Sequence, residues 1–423
     1  MKNIYILLKL LTLIFTINKI SLVYTKEALA ELWDVEDSDL LHYLVIENNL
    51  VAVDTALGKV LRGFRSSFGG TYLDVKNNTV YCNTVDETKV PIVKSSPLLT
   101  QRGYIDFITF KPAPAGNSIS TLRSRFKGLN QLIEVFKPIN IRVYIDHKLN
   151  DVVILHDPKD DEENVDFLRH ANEFNPTLIV PNVAHPHPRC NNSPQVPISK
   201  RVIVDRILDG DGIINNDAGL ECSVGFWARH AEDEDLNYLV TAGHCYNISV
   251  GGLQEFFHLP WGSEDPRVDL GSMEFSETIE EYDFGLIDIT GKNVGQSAII
   301  NNIDSENFRE LHILEDSTMS THGAHICKSG LTTHVTCGFV KGLNTITTSA
   351  NGDILKNLIY YGKDTFQTSC GGDSGGPVFS YLNDLSTVSL HGISISAFFD
   401  LSESLPLNII LGAAELEPVI PHQ

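Results

Sequence analysis

Basic residues are scarce in this chain where acidic ones are plentiful. Its 423 residues include 32 Lys and Arg against 54 Asp and Glu, and the imbalance sits in one half: residues 201–423 hold 10 basic and 32 acidic side chains, whereas residues 1–200 hold 22 of each. So acidic a half repels phosphate backbones and anionic lipid, and no local basic run offsets it, which excludes nucleic-acid and membrane-surface binding. Glycine and proline, 31 and 18 residues, are too few for a collagen-like or low-complexity chain. The 42% hydrophobic content is too high for a disordered one. After the first 25 residues no stretch approaches the length needed to span a bilayer, about 18–20 apolar residues. What remains is a globular protein, long enough at about 150 residues per domain for two or three domains.

The exception at the start is informative. Residues 1–25 open with Lys2, run apolar from Ile4 to Phe15 apart from Lys9, and offer Val23 and Thr25 before a cleavage point, the pattern of a secretory signal peptide. Seven cysteines and sequons at Asn77, Asn191 and Asn247 fit the same oxidising route, so the expected location is extracellular. An odd cysteine count leaves at least one thiol unpaired within the chain. Between Pro176 and Pro197 six prolines mix with Asn and Ser where the charge balance changes; residues 176–201 read as a linker ending in the dibasic Lys200-Arg201, a candidate processing site.

Upstream, residues 26–175 read as an α+β domain. Thr71–Val75 and Thr79–Asn83 flank an Asn77-Asn78 turn as a hairpin. Leu122, Phe126, Leu129, Leu132, Ile133 and Phe136 recur at helical spacing, and a second strand pair flanks Asn150-Asp151. Downstream, residues 202–423 turn to short apolar runs separated by Gly, Asn, Asp and Ser, which predicts an all-β barrel or sandwich.

The chemistry concentrates in that second half. Gly371-Gly372-Asp373-Ser374-Gly375-Gly376 leaves a serine hydroxyl unobstructed and lets consecutive N–H groups point at one place. A serine needs a base to become a nucleophile. His244, in Leu239-Val240-Thr241-Ala242-Gly243-His244-Cys245, ends an apolar strand beside a cysteine. The base needs a carboxylate to fix its tautomer, and Asp283 before the apolar run Phe284–Ile287 suits this better than Asp269 or Asp288. The pairs His185 with His187 and His322 with His325 have ligand-like spacing but no further ligands nearby, so no metal and no cofactor is expected.

In the order His244, Asp283, Ser374, these motifs resemble the chymotrypsin-like serine proteases, whose triad is the standard template for this chemistry. More closely, Cys222-Ser223-Val224-Gly225-Phe226 and Cys327-Lys328-Ser329-Gly330-Leu331-Thr332-Thr333 before Cys337-Gly338 resemble the streptogrisin and alpha-lytic protease branch. The resemblance implies a double antiparallel β-barrel over 202–423, with Ser374 as nucleophile, His244 as general base, Asp283 as orienter, and the N–H groups of Gly372 and Ser374 as oxyanion hole. It implies disulfides Cys222–Cys245 and Cys327–Cys337, and an ion pair in which Lys328 stands for the branch's arginine and holds Asp373. Cys370 departs from the pattern, since its family partner downstream is missing; it is free or pairs with Cys190, and Cys82 is a candidate buried thiol.

The pocket base falls on Thr368 instead of an aspartate, which argues against cleavage after Lys or Arg and for a neutral primary side chain. Ile395 and Ala397 depart from the residues usual in the branch and are expected to narrow the pocket or weaken substrate pairing, and His334 replaces a usual glycine. Phe68–Asp74 and Thr79–Tyr81 resemble the pro-region hairpin of the same branch, which implies a folding aid and inhibitor acting within the chain. Two readings follow: a monomeric secreted endopeptidase acting on protein or peptide substrates and made as a precursor, or a catalytically silent secreted binding protein on the same fold.

Overall fold

The computed structural model describes residues 26–181, 190, 206–263, 265, 268–363 and 367–421. The signal segment, Lys200-Arg201, Asn191, His185, His187 and most of the linker prolines lie outside the described residues. No helix among the described residues is long and apolar enough to cross a membrane.

The N-terminal module begins with helices α1 (Ala28–Trp33) and α2 (Leu40–Leu61), followed by strands β1 (Phe68–Asp74), β2 (Thr79–Thr84) and β3 (Ile108–Pro112). The β1–β2 hairpin turns at Asn77 and Asn78, with Asn78 in the left-handed region at φ +47° that asparagine tolerates. Next come α3 (Ile119–Phe136), β4 (Arg142–Asp146), β5 (Asp151–Leu155), α4 (Val165–Ala171) and β6 (Thr177–Ile179). The strand β6 lies within the segment read as linker: it pairs in parallel with β5, and that pairing holds its backbone before the chain leaves the sheet.

The second half is all-β. Strands β7 (Gly212–Asn215), β8 (Leu220–Ser223), β9 (Phe226–His230), β10 (Asn237–Ala242), β11 (Gln254–Leu259), β12 (Asp269–Met273) and β13 (Phe284–Asp288) form one antiparallel sheet. The C-terminal strand Leu416–Pro418 completes its edge beside β9. After β14 (Ile299–Asn301) and β15 (Glu310–Asp316) come β16 (His325–Lys328), β17 (Thr336–Thr348), β18 (Ile354–Gly362), β19 (Pro377–Tyr381), β20 (Thr387–Phe398) and β21 (Leu401–Pro406). Their ladders run β16-β17-β18-β21-β20-β19 and return to β16, a closed barrel. This double β-sheet body preceded by an α+β module is the chymotrypsin-like architecture its motifs imply. Phe226, Val240 and Phe284 of the first sheet share one apolar core with Ile393 and Leu405 of the second, so the two sheets are welded face to face.

The N-terminal module is joined to that body at several points. Strand β4 pairs with β17, Val143 opposite Ile346 and Arg142 opposite Thr347, which extends the barrel sheet into β5 and β6. Leu29, Leu32, Trp33, Leu40 and Leu44 of α1 and α2 belong to the same apolar core as the barrels.

Where the turn after β4 meets the second half of the chain, His147 and His322 stack with ring centroids 3.5 Å apart. Each gives its Nδ1 to a backbone carbonyl, of Thr71 at 2.9 Å and of Lys341 at 3.2 Å. Burial, and then each other's charge, holds His322 well below the ordinary imidazole range. Burial also lowers His147, which the Thr71 carbonyl and Asp146 partly offset and Arg123 reinforces. Separated, the two rings would titrate near pH 6.5, about their ordinary value; stacked, they refuse the proton there. The contact is therefore at full strength above about pH 6.5 and loses stability as the pH falls below it. Thermal midpoints measured from pH 8 to 4 are expected to drop more steeply for the native protein than for His322→Gln; parallel curves would refute the assignment.

Candidate active site

The site forms where the first sheet delivers a histidine and the second a serine. Strands β10 and β13 pair so that Ala242 faces Phe284, which sets the turn after β10 beside the residue before β13. The Gly243 N–H donates to the Asp283 carbonyl at 3.0 Å. A Cβ on Gly243 would lie 2.9 Å from the Asp283 carbonyl carbon and from the Phe284 nitrogen, so only glycine lets the turn approach this closely. The Asp283 carboxylate then takes two donors of His244. Its Oδ1 accepts from the backbone N–H at 2.8 Å, and both oxygens lie 3.0 Å from Nδ1. Burial would lower the imidazole pKa, but the charge and hydrogen bond of Asp283 outweigh it and leave His244 above its ordinary value. The His244 side chain keeps 47% of its surface exposed while Asp283 keeps 16%, so the imidazole is open to solvent and the carboxylate sheltered.

The Cys222–Cys245 disulfide fastens this turn to β8. At the end of that strand, Ser223 links the two halves of the site. Its N–H donates to the Ser374 carbonyl at 2.8 Å, its hydroxyl to the Gly372 carbonyl at 2.7 Å, and its carbonyl accepts from the Thr241 hydroxyl at 2.8 Å. Sequence reasoning passed over Ser223, whose only signal was its place beside Cys222. Gly375, at φ +88°, packs so tightly that a Cβ there would meet the Thr241 hydroxyl oxygen at 2.1 Å and the Ala242 nitrogen at 2.8 Å. The half-buried Ser374 is thereby held against the strand that carries His244. Among the described residues no hydrogen bond joins the Ser374 hydroxyl to the imidazole, a contact that in free enzymes often tightens only when substrate binds.

The glycine loop also presents its amides. Thr332 donates its hydroxyl to the Gly371 carbonyl at 2.6 Å. Because the peptide is trans, fixing that carbonyl on Thr332 turns the N–H of Gly372 to the opposite side, where it has no acceptor among the described residues. The Ser374 N–H likewise has none. Thr332→Val is expected to lower kcat about tenfold with KM little changed, and Thr332→Ser to restore it, since one neutral hydrogen bond is worth roughly 1 kcal/mol. Equal losses in both variants would show that only packing matters here.

Asp373 lies beneath the loop, fully buried, in a cage of donors. Its Oδ1 accepts from the Thr332 and Thr333 N–H groups, each at 2.9 Å, and its Oδ2 from the Thr333 hydroxyl at 2.6 Å and the Cys370 N–H at 2.9 Å. Lys328, also fully buried, places Nζ 3.2 Å from Oδ2 and donates to the His334 carbonyl at 2.8 Å and to Thr333. Burial alone would raise the Asp373 pKa; Lys328 and these donors reverse it and hold the carboxyl below its ordinary range. His334 occupies a left-handed backbone position at φ +58° that favours glycine. Its ring stacks on Trp261 with centroids 3.8 Å apart, and its Nδ1 lies 2.6 Å from Asp304, contacts that a glycine cannot make.

Around Thr368, the position expected to form the pocket base, the groups are hydroxyls. Thr368 and Ser402 are buried and 2.7 Å apart, Ser369 lies 3.5 Å from Ser394, and the Tyr361 hydroxyl is buried nearby. Ile395 packs into the shared core at 1% exposure, beside Ile393 and Leu405. Ala397 is half-buried opposite Ser402. The remaining cysteines resolve as disulfides Cys327–Cys337 and Cys190–Cys370, with Cys82 a buried free thiol. His322 and His325 turn to different partners, His147 and Glu47.

No family model matches the chain. Among characterised proteins it is similar to Serine protease 1 of Streptomyces fradiae, 27% identical over 175 residues, which is 41% of this chain and 42% of that protein. It is similar at the same identity and length to Glutamyl endopeptidase 2 of Streptomyces griseus, of which the match covers 79%. The chain thus spans under half the length of the first of these relatives. Among solved structures, Thermobifida fusca protease A matches at 20% identity and TM-score 0.38, covering 51% of this chain and all of that one. Over about two fifths of its length the chain is similar to serine proteases of the streptogrisin type.

Proposed function

We propose that the protein is a secreted serine endopeptidase made as a precursor. The observation that carries this reading is the convergence, through Ser223, of an Asp283-held His244 with the Ser374 loop and its two unclaimed amides. In the reaction, Ser374 Oγ bonds to the scissile carbonyl carbon while His244 Nε2 takes its proton. The oxyanion that forms is stabilised by the Gly372 and Ser374 N–H groups, each such donor being worth about 10²–10³ in rate. Collapse returns the proton to the leaving amine and leaves an acyl ester on Ser374, which water attacks with His244 again as base.

The position that the resemblance gives to the pocket base is Thr368, which offers a primary side chain no fixed countercharge. Neutral residues fit this best. The name glutamyl endopeptidase on one relative makes glutamate the acidic option to compare. The N-terminal module acts as folding aid and inhibitor, and export proceeds through the signal segment, with exposed Asn77 open to glycosylation.

The alternative is a silent binding protein on this fold; Ile395, expected to narrow the cleft, packs into the core instead and lends it no support. Treatment of the secreted protein with a fluorophosphonate, followed by mass spectrometry, separates the two. An adduct on Ser374 that is absent in His244→Ala supports the peptidase. No adduct, even after cutting the connecting segment, refutes it. A peptide panel varying Leu, Gln, Glu and Lys before the scissile bond then reads the pocket.

A further inference from the structure

We propose that the face of the catalytic half covered by the N-terminal module is a lasting interface, and that cutting the connecting segment yields a two-chain protein joined by the Cys190–Cys370 disulfide. This goes beyond the peptidase reading and does not depend on it.

The argument begins with chain order. Cys190 and Cys370 are bonded across 180 residues of sequence. The dibasic Lys200-Arg201 follows Cys190 and precedes Cys370. Any cut at that pair, or elsewhere between 191 and 205, therefore leaves one half-cystine on each product. The remaining thiol offers no escape by exchange: Cys82 is buried, and burial raises its pKa above the ordinary thiol range, so it supplies no thiolate to attack the bond.

The non-covalent contacts point the same way, because they are buried and polar on both sides. Arg142 of β4 donates from Nε to Glu403 of β21 at 2.9 Å, with 8% and 0% of the two side chains exposed, and its guanidinium lies 3.8 Å from the Phe398 ring centre. Glu403 also accepts from the Thr347 hydroxyl at 2.6 Å and from Ser396. Glu47 of α2 accepts from the His325 N–H at 2.8 Å and from its Nδ1, while His325 Nε2 accepts from the Tyr381 N–H at 2.8 Å. The side chains of Glu47 and His325 are 2% and 3% exposed. Removing the module would take Arg142 from the buried Glu403 and Glu47 from the buried His325, a penalty that opposes dissociation. Trp33 and Leu44 would also return to water.

The tether is attached at a sensitive place. The Cys370 N–H and carbonyl both bond to Asp373, at 2.9 and 3.1 Å, one residue before Ser374. A processed protein would thus carry its N-terminal chain anchored on the nucleophile loop, and release would take a second event, either opening of the disulfide by a thiol or degradation of the module.

The test uses the full chain with a site-specific protease sequence inserted between residues 191 and 199, cut to completion and alkylated. In urea without reductant, mass spectrometry is expected to find one species of precursor mass plus a single water, which dithiothreitol splits into two chains. In Cys190→Ser the cut chains are expected to separate in urea yet co-elute from a sizing column in native buffer. Separation of the wild-type chains in urea without reductant would overturn the covalent link. Separation of the Cys190→Ser chains in native buffer would overturn the lasting interface. Neither arm reads hydrolysis by this chain, so failure here is distinct from failure of the peptidase reading.

Discussion

Asp283→Asn is expected to lower kcat by about 10⁴-fold while leaving the fold intact, because it reverses one proton and little else. The backbone accepts the change: Asp283 sits at φ +62°, a left-handed conformation that asparagine shares with aspartate. The chemistry does not. Oδ1 is committed to the His244 backbone N–H at 2.8 Å, so the amide must keep its oxygen there and present its NH₂ to Nδ1. Nδ1 then becomes an acceptor, the ring proton moves to Nε2, and the nitrogen that should take the Ser374 proton is occupied. A second signature separates this from simple misfolding. Asp283 is what lifts the His244 pKa against burial, and a neutral base is the active form, so activity rises with pH through that raised value. Without the carboxylate, burial dominates and the acidic limb of kcat/KM moves to lower pH. A variant that retains its thermal midpoint, loses turnover and shifts its acidic limb downward bears out the assignment. Near-normal turnover would remove Asp283 from the site.

How far this site was legible in the sequence depended on whether a residue's role showed in its neighbours along the chain. His244, Asp283 and Ser374 stood in short, distinctive contexts that the fold brings to one place. Ser223 and Thr332 did not stand out, because each acts through a backbone carbonyl across the sheet junction, at Gly372 and Gly371, and such a contact leaves no local pattern. The 22-residue helix α2 was hidden for a related reason. Its buried face runs Leu40, Leu44, Glu47, Leu50, Val53, Asp54 and Leu57, and two carboxylates interrupt the apolar stripe that marks a helix. Glu47 is there to meet His325, and Asp54 lies beside Thr71 and Thr321, so the break in periodicity records the interface. Cys370 was ambiguous because spacing along the chain does not fix a disulfide partner 180 residues away.

The second large effect is expected at Lys328. Its ammonium is fully buried and meets Asp373, Thr333 and the His334 carbonyl. Lys328→Met keeps the side-chain volume and removes the charge, leaving Asp373 with hydrogen bonds but no counterion in a fully buried cage. Breaking such a pair on one side costs about 3–5 kcal/mol. In a domain of this size each kcal/mol moves the midpoint by about 2–4 °C, so a fall of roughly 6–20 °C is expected in thermal unfolding. Catalysis should suffer beyond stability. Asp373 holds the loop between Gly372 and Ser374, and once it seeks water the two amides lose their aim, at about 10²–10³ in kcat for each donor lost. Lys328→Arg restores the charge but must fit a planar fork where the cage receives a point, so a smaller loss is expected. The decisive comparison is the pair Lys328→Met with Asp373→Asn. If the two side chains matter to each other, the double variant will be less destabilised than the sum of the singles, because neither leaves a buried charge alone. Additive losses would mean that Lys328 serves Thr333 and His334 alone, and that the donor cage suffices for Asp373.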